Sequence, residues 1–405
     1  MKNLLLLLFP SLLFAADWPH LAGPTLDFHS ATTNIGRNWK TCPPALLWKA
    51  ELTDNGHACA SCANGTLFIT DHFGTNDIVR ALALADGKEL WRYSYPDTHT
   101  YYHGFARATP TVHQSMVYTV SRMGLAHCLD AATGHMLWKI DFIKDLAGQA
   151  PNHGFAAPVG VWGEMAYLQP GGKTGNIVAV HKRTGRLIWR GGNSEKPGYS
   201  LPVIVPFETV PTLLCYSANT LMGLNPETGA PLWTYPRPHP FGNNIVQPVI
   251  MGNRLFTGAS DDVGSTVIEI RGGQPREVWE TKAVCPLFTT PVLANGLFFG
   301  TSSGKPAKPE GLMCFDPSTG KMNWKVKAFE HGQVLSIDGV VLALDGQKGD
   351  LVMIDPTADA YREITRFTPL GGRSWATFFT VGDRLILRNQ RELACFKFNV
   401  KTTTP

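Results

Sequence analysis

Four polar, aromatic-rich stretches of the chain carry the side chains best suited to recognition chemistry. The densest runs from Asp97 to Arg107 and holds His99, Tyr101, Tyr102 and His103. The others are Asn152-His153-Gly154-Phe155, His239 to Asn244, and Gly371 to Trp375. Imidazole and guanidinium groups in such loops would clamp an anion or a carbohydrate, and the rings would stack on a sugar or an apolar side chain. The candidate ligand contacts are therefore His103, Arg107, His153, Asn244, Arg373 and Trp375. Arg107 leads them, because it immediately precedes an apolar strand-like run. The plainer reading is that these groups cap turns or face solvent.

Catalytic signatures are missing from the sequence. No phosphate-binding loop or His-Glu-x-x-His occurs, and no catalytic residue is assigned. His103, His153 and His239 lack obvious carboxylate partners, and Asp261-Asp262-Val263-Gly264 offers too few oxygens for a dedicated Ca²⁺ loop. No metal is expected. The eight cysteines, 42, 59, 62, 128, 215, 285, 314 and 395, are scattered, and most lie in apolar runs that suit buried thiols. Cys59 and Cys62 form the one close pair. Ala63 stands where c-type haem attachment needs His, and one such pair cannot close a tetrahedral zinc site. A local disulfide or a redox role stays open for it.

The elements that must position the loops are set by an internal repeat. Asp86-Gly87 precedes Trp91, and Thr-Gly pairs at 133–134, 184–185, 228–229 and 319–320 precede Trp138, Trp189, Trp233 and Trp324. Trp279 follows a weaker turn at 271–274, and Trp48 opens the series without its turn. The seven Trp residues recur every 43 to 51 residues, with a mean of 46. Between them lies a second station of two apolar stretches around a Gly turn, often opened by Pro, as at Pro110, Pro158, Pro248 and Pro291. Looser copies begin near Ser61, Leu201, Val334 and Ala376, which makes eight. Each unit reads as four short strands, and alternation such as Val79 to Leu84 supports strands over helices. The fold class is all-β, an eight-bladed β-propeller of four-stranded antiparallel blades. The Trp residues are expected to be structural, each lying across the Gly turn of a neighbouring blade. The segment near Trp39–Trp48 is expected to pair with the C-terminal strands and close the ring. In this register every candidate loop precedes an innermost strand, so the loops should converge on one end of the channel.

The 405 residues are 44% hydrophobic and 17% charged, with 40 Gly and 29 Pro, a globular composition with a heavy turn load. A net charge of +4, evenly scattered, gives no nucleic-acid footprint. Lys2, the apolar run Leu4 to Phe14 and the small pair Ala15-Ala16 read as a signal peptide over residues 1–16, cleaved near Ala15-Ala16. No later run is long and apolar enough to span a bilayer. The expectation is an exported, periplasmic or extracellular, monomeric protein: one propeller domain over residues 17–398 and a short tail over 399–405.

The Gly-x-x-x-Trp stations resemble the PQQ-repeat, quinoprotein-like β-propeller superfamily. The opening Asp17-Trp18-Pro19 through Gly23-Pro24, Leu46 to Lys49, Arg107 to Val112 and the closing Arg388 to Phe396 are similar to a group of secreted PQQ-like bacterial proteins. One branch of the superfamily comprises quinoprotein dehydrogenases, which hold PQQ over Ca²⁺ with an Asp base; some carry a ring formed by adjacent cysteines. This chain has no Cys-Cys pair, and the base and metal ligands find no matching positions. The other branch, the outer-membrane assembly lipoprotein, has eight blades and no cofactor and works by presenting surfaces. This chain lacks that branch's lipobox Cys. The resemblance implies a non-catalytic binding or scaffolding module of the periplasm or cell envelope, with a protein or glycan partner at the channel face and no cofactor. A PQQ/Ca²⁺-dependent oxidoreductase and a carbohydrate-recognising propeller are the alternatives.

Overall fold

Eight small sheets stand in a ring in the computed structural model, which describes residues 17–53, 55–98, 104–105, 107–306 and 308–400. No helix occurs among the described residues, and the molecule is an eight-bladed β-propeller. Blade 1 shows the pattern: Ser61–Ala63 innermost, then Thr66–Phe73, Asn76–Ala83 and Glu89–Pro96, each antiparallel to the last. The innermost strands of blades 2 to 8 are Thr111–His113, Gly160–Trp162, Val203–Phe207, Val249–Met251, Val292–Ala294, Gln333–Ile337 and Phe379–Val381. The second and third strands of a blade are apolar along most of their length and buried on both faces. Met116–Val120 and Val340–Leu344 are buried at every position. Such runs suit sheets sandwiched between neighbouring sheets.

The ring is closed by the chain's own beginning. Ala45–Glu51 supplies the outermost strand of blade 8, antiparallel to Glu392–Lys397, with Trp48 opposite Cys395. Blade 7 departs from the four-strand pattern. His29–Ser30 adds a fifth strand, parallel to Gln333–Ile337, on its channel side.

Adjacent blades are joined through the repeated Trp residues. Trp48, Trp91, Trp138, Trp189 and Trp279 lie against Gly87, Gly134, Gly185, Gly229 and Gly320 of the next blade. A Cβ on any of these glycines would come within 2.4–3.0 Å of the ring. These glycines also sit at φ of +70° to +74°, where a side chain is strained. Each indole Nε1 donates to a carbonyl of the same turn: Leu84, Ala131, Lys182, Pro226 and Pro317, at 2.9–3.1 Å. Trp324 donates likewise to Thr357 at 2.9 Å. The Asx residue builds the turn from inside. Asp130 Oδ1 accepts from the backbone of Ala132 and Thr133 and from the Thr133 hydroxyl.

Trp233 is the exception. Its Nε1 meets no acceptor among the described residues. The turn it would address, Gly272-Gly273, lacks an Asx residue and is capped instead by the Glu208 carboxylate, which accepts both backbone N–H groups at 3.1 Å. The weaker turn at 271–274 is thus the one at which the inter-blade contact changes, while the glycine-free turn at 355–361 keeps its bond to Trp324.

No disulfide joins any of the eight cysteines; seven are buried and Cys42 is exposed. Cys59 donates through Sγ to the Thr377 carbonyl at 3.0 Å, and burial pushes its thiol up to about 12. Cys62 is pushed up as well, first by burial and then by Asp17. Neither thiol is poised as a thiolate nucleophile.

Candidate functional site

An innermost strand has two ends. One receives the loop arriving from the previous blade; the other makes the tight turn into the second strand. The described residues of the loops singled out in the sequence lie at the first end, the channel mouth. Successive blades are tied together just below it. Cys59 N donates to Thr109 Oγ1 at 3.2 Å, Leu201 N to Gln247 Oε1 at 3.0 Å, and Gln247 N to Thr290 Oγ1 at 3.0 Å. Gln333 Nε2 donates to the Trp375 carbonyl at 2.9 Å. This belt fixes the register of the residues above it.

Two places above the belt, the chain sets a rim of large side chains: Phe288, His331, Trp375 and His57, contributed by blades 6, 7, 8 and 1. All four are partly exposed. They form a continuous aromatic run. Ring centroids are 5.5 Å apart for Phe288 and His331, 5.1 Å for His331 and Trp375, 5.6 Å for Phe288 and Trp375, and 4.9 Å for His57 and Trp375. The Arg373 guanidinium carbon lies 4.4 Å from the Trp375 ring centroid, within cation–π range. Arg107 holds the corresponding place in blade 2 and donates to the His153 carbonyl. Such a surface offers stacking and apolar contact, with cationic groups at its edge.

The other candidates fall elsewhere. His103 lies outside the described residues. His153 is exposed on the rim, and its backbone N–H donates to the Tyr199 hydroxyl at 3.2 Å. Asn244 is turned inward: its Nδ2 donates to the carbonyls of Ser217, Ala218 and Arg237 at 2.9–3.2 Å, so its amide clamps a loop instead of facing a ligand. Trp375 and Arg373 stand together, while Arg107 and His153 meet on another part of the rim. Sequence reasoning passed over His57, Phe288 and His331. Their signal was positional: His57 and Phe288 sit three residues before the residue that leads into the inner strand, as Arg107 and Trp375 do, and His331 sits two residues before Gln333, the start of a longer inner strand.

Four acidic groups at this end are committed. Asp97 is fully buried against Arg122 at 3.0 Å. Glu195 accepts from Ser217 Oγ, Asn219 N and Thr220 Oγ1 at 2.7–2.9 Å. Asp345 accepts from the backbone of Phe329, Gln347 and Lys348. Asp261 accepts from Ser260 Oγ at 2.8 Å and lies 3.7 Å from His239 Nε2.

A family model described as outer membrane protein assembly factor BamB, built of PQQ-type repeats, matches residues 75–326, more than half of the chain. The chain belongs to the BamB family of PQQ-repeat propellers. Outer membrane protein assembly factor BamB of Shewanella oneidensis is 28% identical over 271 residues, covering 62% of this chain and 64% of that protein, less than two thirds of its length. The crystal structure of BamB from Moraxella catarrhalis superposes with a TM-score of 0.64 at 15% identity, over 88% of this chain and all of that one. Quinohemoprotein alcohol dehydrogenase from Comamonas testosteroni gives 0.66 at 13% identity, over 96% of this chain and 82% of that one. At these identities the two structures share the fold alone. The BamB family's repeat takes its name from PQQ, which dehydrogenases hold over a metal ion. The residues present here do not fit that pair. The mouth carboxylates described above are spent on Arg, hydroxyl and backbone donors. Among the described residues no three His, Cys, Asp or Glu side chains gather to hold a metal ion.

Proposed function

We propose that this protein is a non-catalytic binding scaffold of the cell envelope that takes a protein partner on the channel-mouth end of its ring. The observation that carries this reading is the aromatic run Phe288–His331–Trp375–His57, partly exposed across four consecutive blades and edged by Arg373. Clustered aromatic and Arg side chains are the groups that dominate protein interfaces. Membership of the BamB family supports an assembly role, since the relatives are named as outer membrane protein assembly factors. Residues 1–16 are a signal peptide cleaved near Ala15-Ala16 in this reading, which puts the rest in the periplasm. Residues 17–398 then act as one monomeric domain without a cofactor.

The test is a binding titration of purified protein against the outer-membrane assembly machinery extracted from the same cells. Trp375→Ala combined with Phe288→Ala is expected to weaken binding by about tenfold or more, with an unchanged melting curve. Equal affinity for the doubly substituted protein would overturn the mouth as the docking face. Saturable uptake of PQQ with Ca²⁺ and alcohol-dependent dye reduction would overturn the non-catalytic reading.

A further inference from the structure

The opposite end of the channel carries a second feature. Residues 17–30 run across the inner edges of the blades. Trp18 pairs with Cys62 of blade 1, N–H to carbonyl in both directions at 2.8 and 2.9 Å. Val112 N of blade 2 donates to the Pro19 carbonyl at 2.7 Å, and Ser336 N of blade 7 donates to the Phe28 carbonyl at 3.1 Å. Ser30 and Thr32 bond the Thr380 hydroxyl of blade 8. Trp18 stacks on Phe379 at 5.5 Å.

Cys62, Val112 and Ser336 hold the same place. Each is the penultimate residue before a two-residue hairpin turn. The last residue bonds its hairpin partner, so the penultimate one turns its N–H and C=O to the channel. Val161 stands there in blade 3, because Trp162 pairs with Met165 across the turn. In blade 4, Phe207 pairs with Val210, so Ile204, three residues earlier, faces the channel in the same way. No backbone partner meets either edge among the described residues. The side chains beside these edges are apolar and reach solvent: Trp162 is 39% exposed, and Val161 and Ile204 are partly exposed.

Between these two edges and the crossing segment lies a cavity of about 460 Å³, walled on the segment's side by Pro19, His20 and Leu26. Thr111, only 3% exposed, is among the residues lining it, and its buried Oγ1 has no hydrogen-bond partner among the described residues. No Lys or Arg borders the cavity, and Asp17 is its single carboxylate.

We propose that the inner edges of blades 3 and 4 receive an extended peptide segment of a partner protein, apolar in alternate side chains and free of acidic residues. The occupant follows from continuity with what the chain already does. Its own residues 17–30 bond the equivalent edges of blades 1, 2 and 7, as a bridge at Cys62, a single bond at Val112 and a short parallel strand at Ser336, and the pattern stops where the cavity begins. A partner strand would continue it, pairing with Val161 and Ile204 and seating a side chain in the cavity beside Thr111. Strand addition of this kind draws affinity from main-chain bonds and specificity from pockets for alternate side chains.

The probe is an N-acetylated octapeptide of alternating Val and Thr with two C-terminal lysines, added to the whole protein under amide hydrogen exchange. Exchange at Val161 and Ile204 is expected to slow by about tenfold or more, as for newly bonded edge amides. The same peptide N-methylated on alternate amides is expected to give no protection. Trp162→Glu, at an exposed site that tolerates charge, is expected to weaken the unmodified peptide by about tenfold. Unchanged exchange at Val161, equal binding of the N-methylated peptide, or protection appearing through displacement of the Trp18–Cys62 pairing would each overturn the proposal.

Discussion

His127, in the third strand of blade 2, lies 4.3 Å from the Tyr95 ring and 5.4 Å from the Tyr93 ring. Burial, with Lys139 adding to it, lowers its imidazole to about 4. His20, at the far end of the channel, is lowered to about 4 by burial alone. Both folded values lie below the ordinary 6.5, so the fold favours the neutral ring. Each group contributes stability that is fully present above about pH 6.5 and is lost as pH falls toward 4. A shift of that size is worth on the order of 3 kcal/mol per group. Urea denaturation of His127→Gln at pH 7 and pH 4.5 checks this: the variant should lose less stability between the two than the parent, and an equal loss would count against it. The same scale shows where sequence reading ran short. Trp375, Arg373 and Arg107 stood out by residue type in polar loops, but Asn244 looked equally polar and is consumed by three carbonyls. Phe288, His331 and His57 share a position and not a residue type, so no motif announces them.

At the scale of the blade, the repeat was legible because one contact is made over and over: an indole on a glycine turn, with Nε1 on the turn's carbonyl. Trp233 breaks it and supplies a comparison. Trp279→Phe leaves the Pro317 carbonyl without its donor and should cost about 1–2 kcal/mol beyond the lost ring area. Trp233→Phe removes an N–H that has no acceptor among the described residues and should cost less or even stabilise. Denaturant midpoints of the two variants, measured together, check the difference; equal losses would mean that the turn bond contributes nothing. The crossing of residues 17–30 over the inner edges was not legible in the same way. Those residues belong to no repeat, and their placement depends on edges donated by blades hundreds of residues away, such as Ser336 for Phe28. What the sequence did carry was Trp18 with Gly23, where a Cβ on the glycine would come 2.7 Å from the ring.

For the molecule as a whole, the eight stations in the sequence correspond to eight sheets, and the expected pairing near Trp48 corresponds to Ala45–Glu51 against Glu392–Lys397. A chain starting at Leu52 would lose the outer strand of the eighth blade and the short fifth strand of the seventh, and would bare the edge of Glu392–Lys397. An unpaired edge of that length is a template for other chains. Size-exclusion chromatography of the shortened protein is expected to show oligomers or aggregate, with loss of a single sharp thermal transition. A well-behaved monomer melting like the parent would show that closure is dispensable.

The closing pair also sets a timetable. Lys49 meets Glu392 across 343 residues of sequence. When such a chain emerges from its amino end, the early strand must wait, unpaired, until nearly everything else has appeared. Contacts so distant along the chain form late and slowly. The seven inner blades can therefore assemble on local hairpins while the ring is still a curved, open row. The last strand to lock is among the first to have been made, and during that wait its edge stands open to whichever neighbour arrives first.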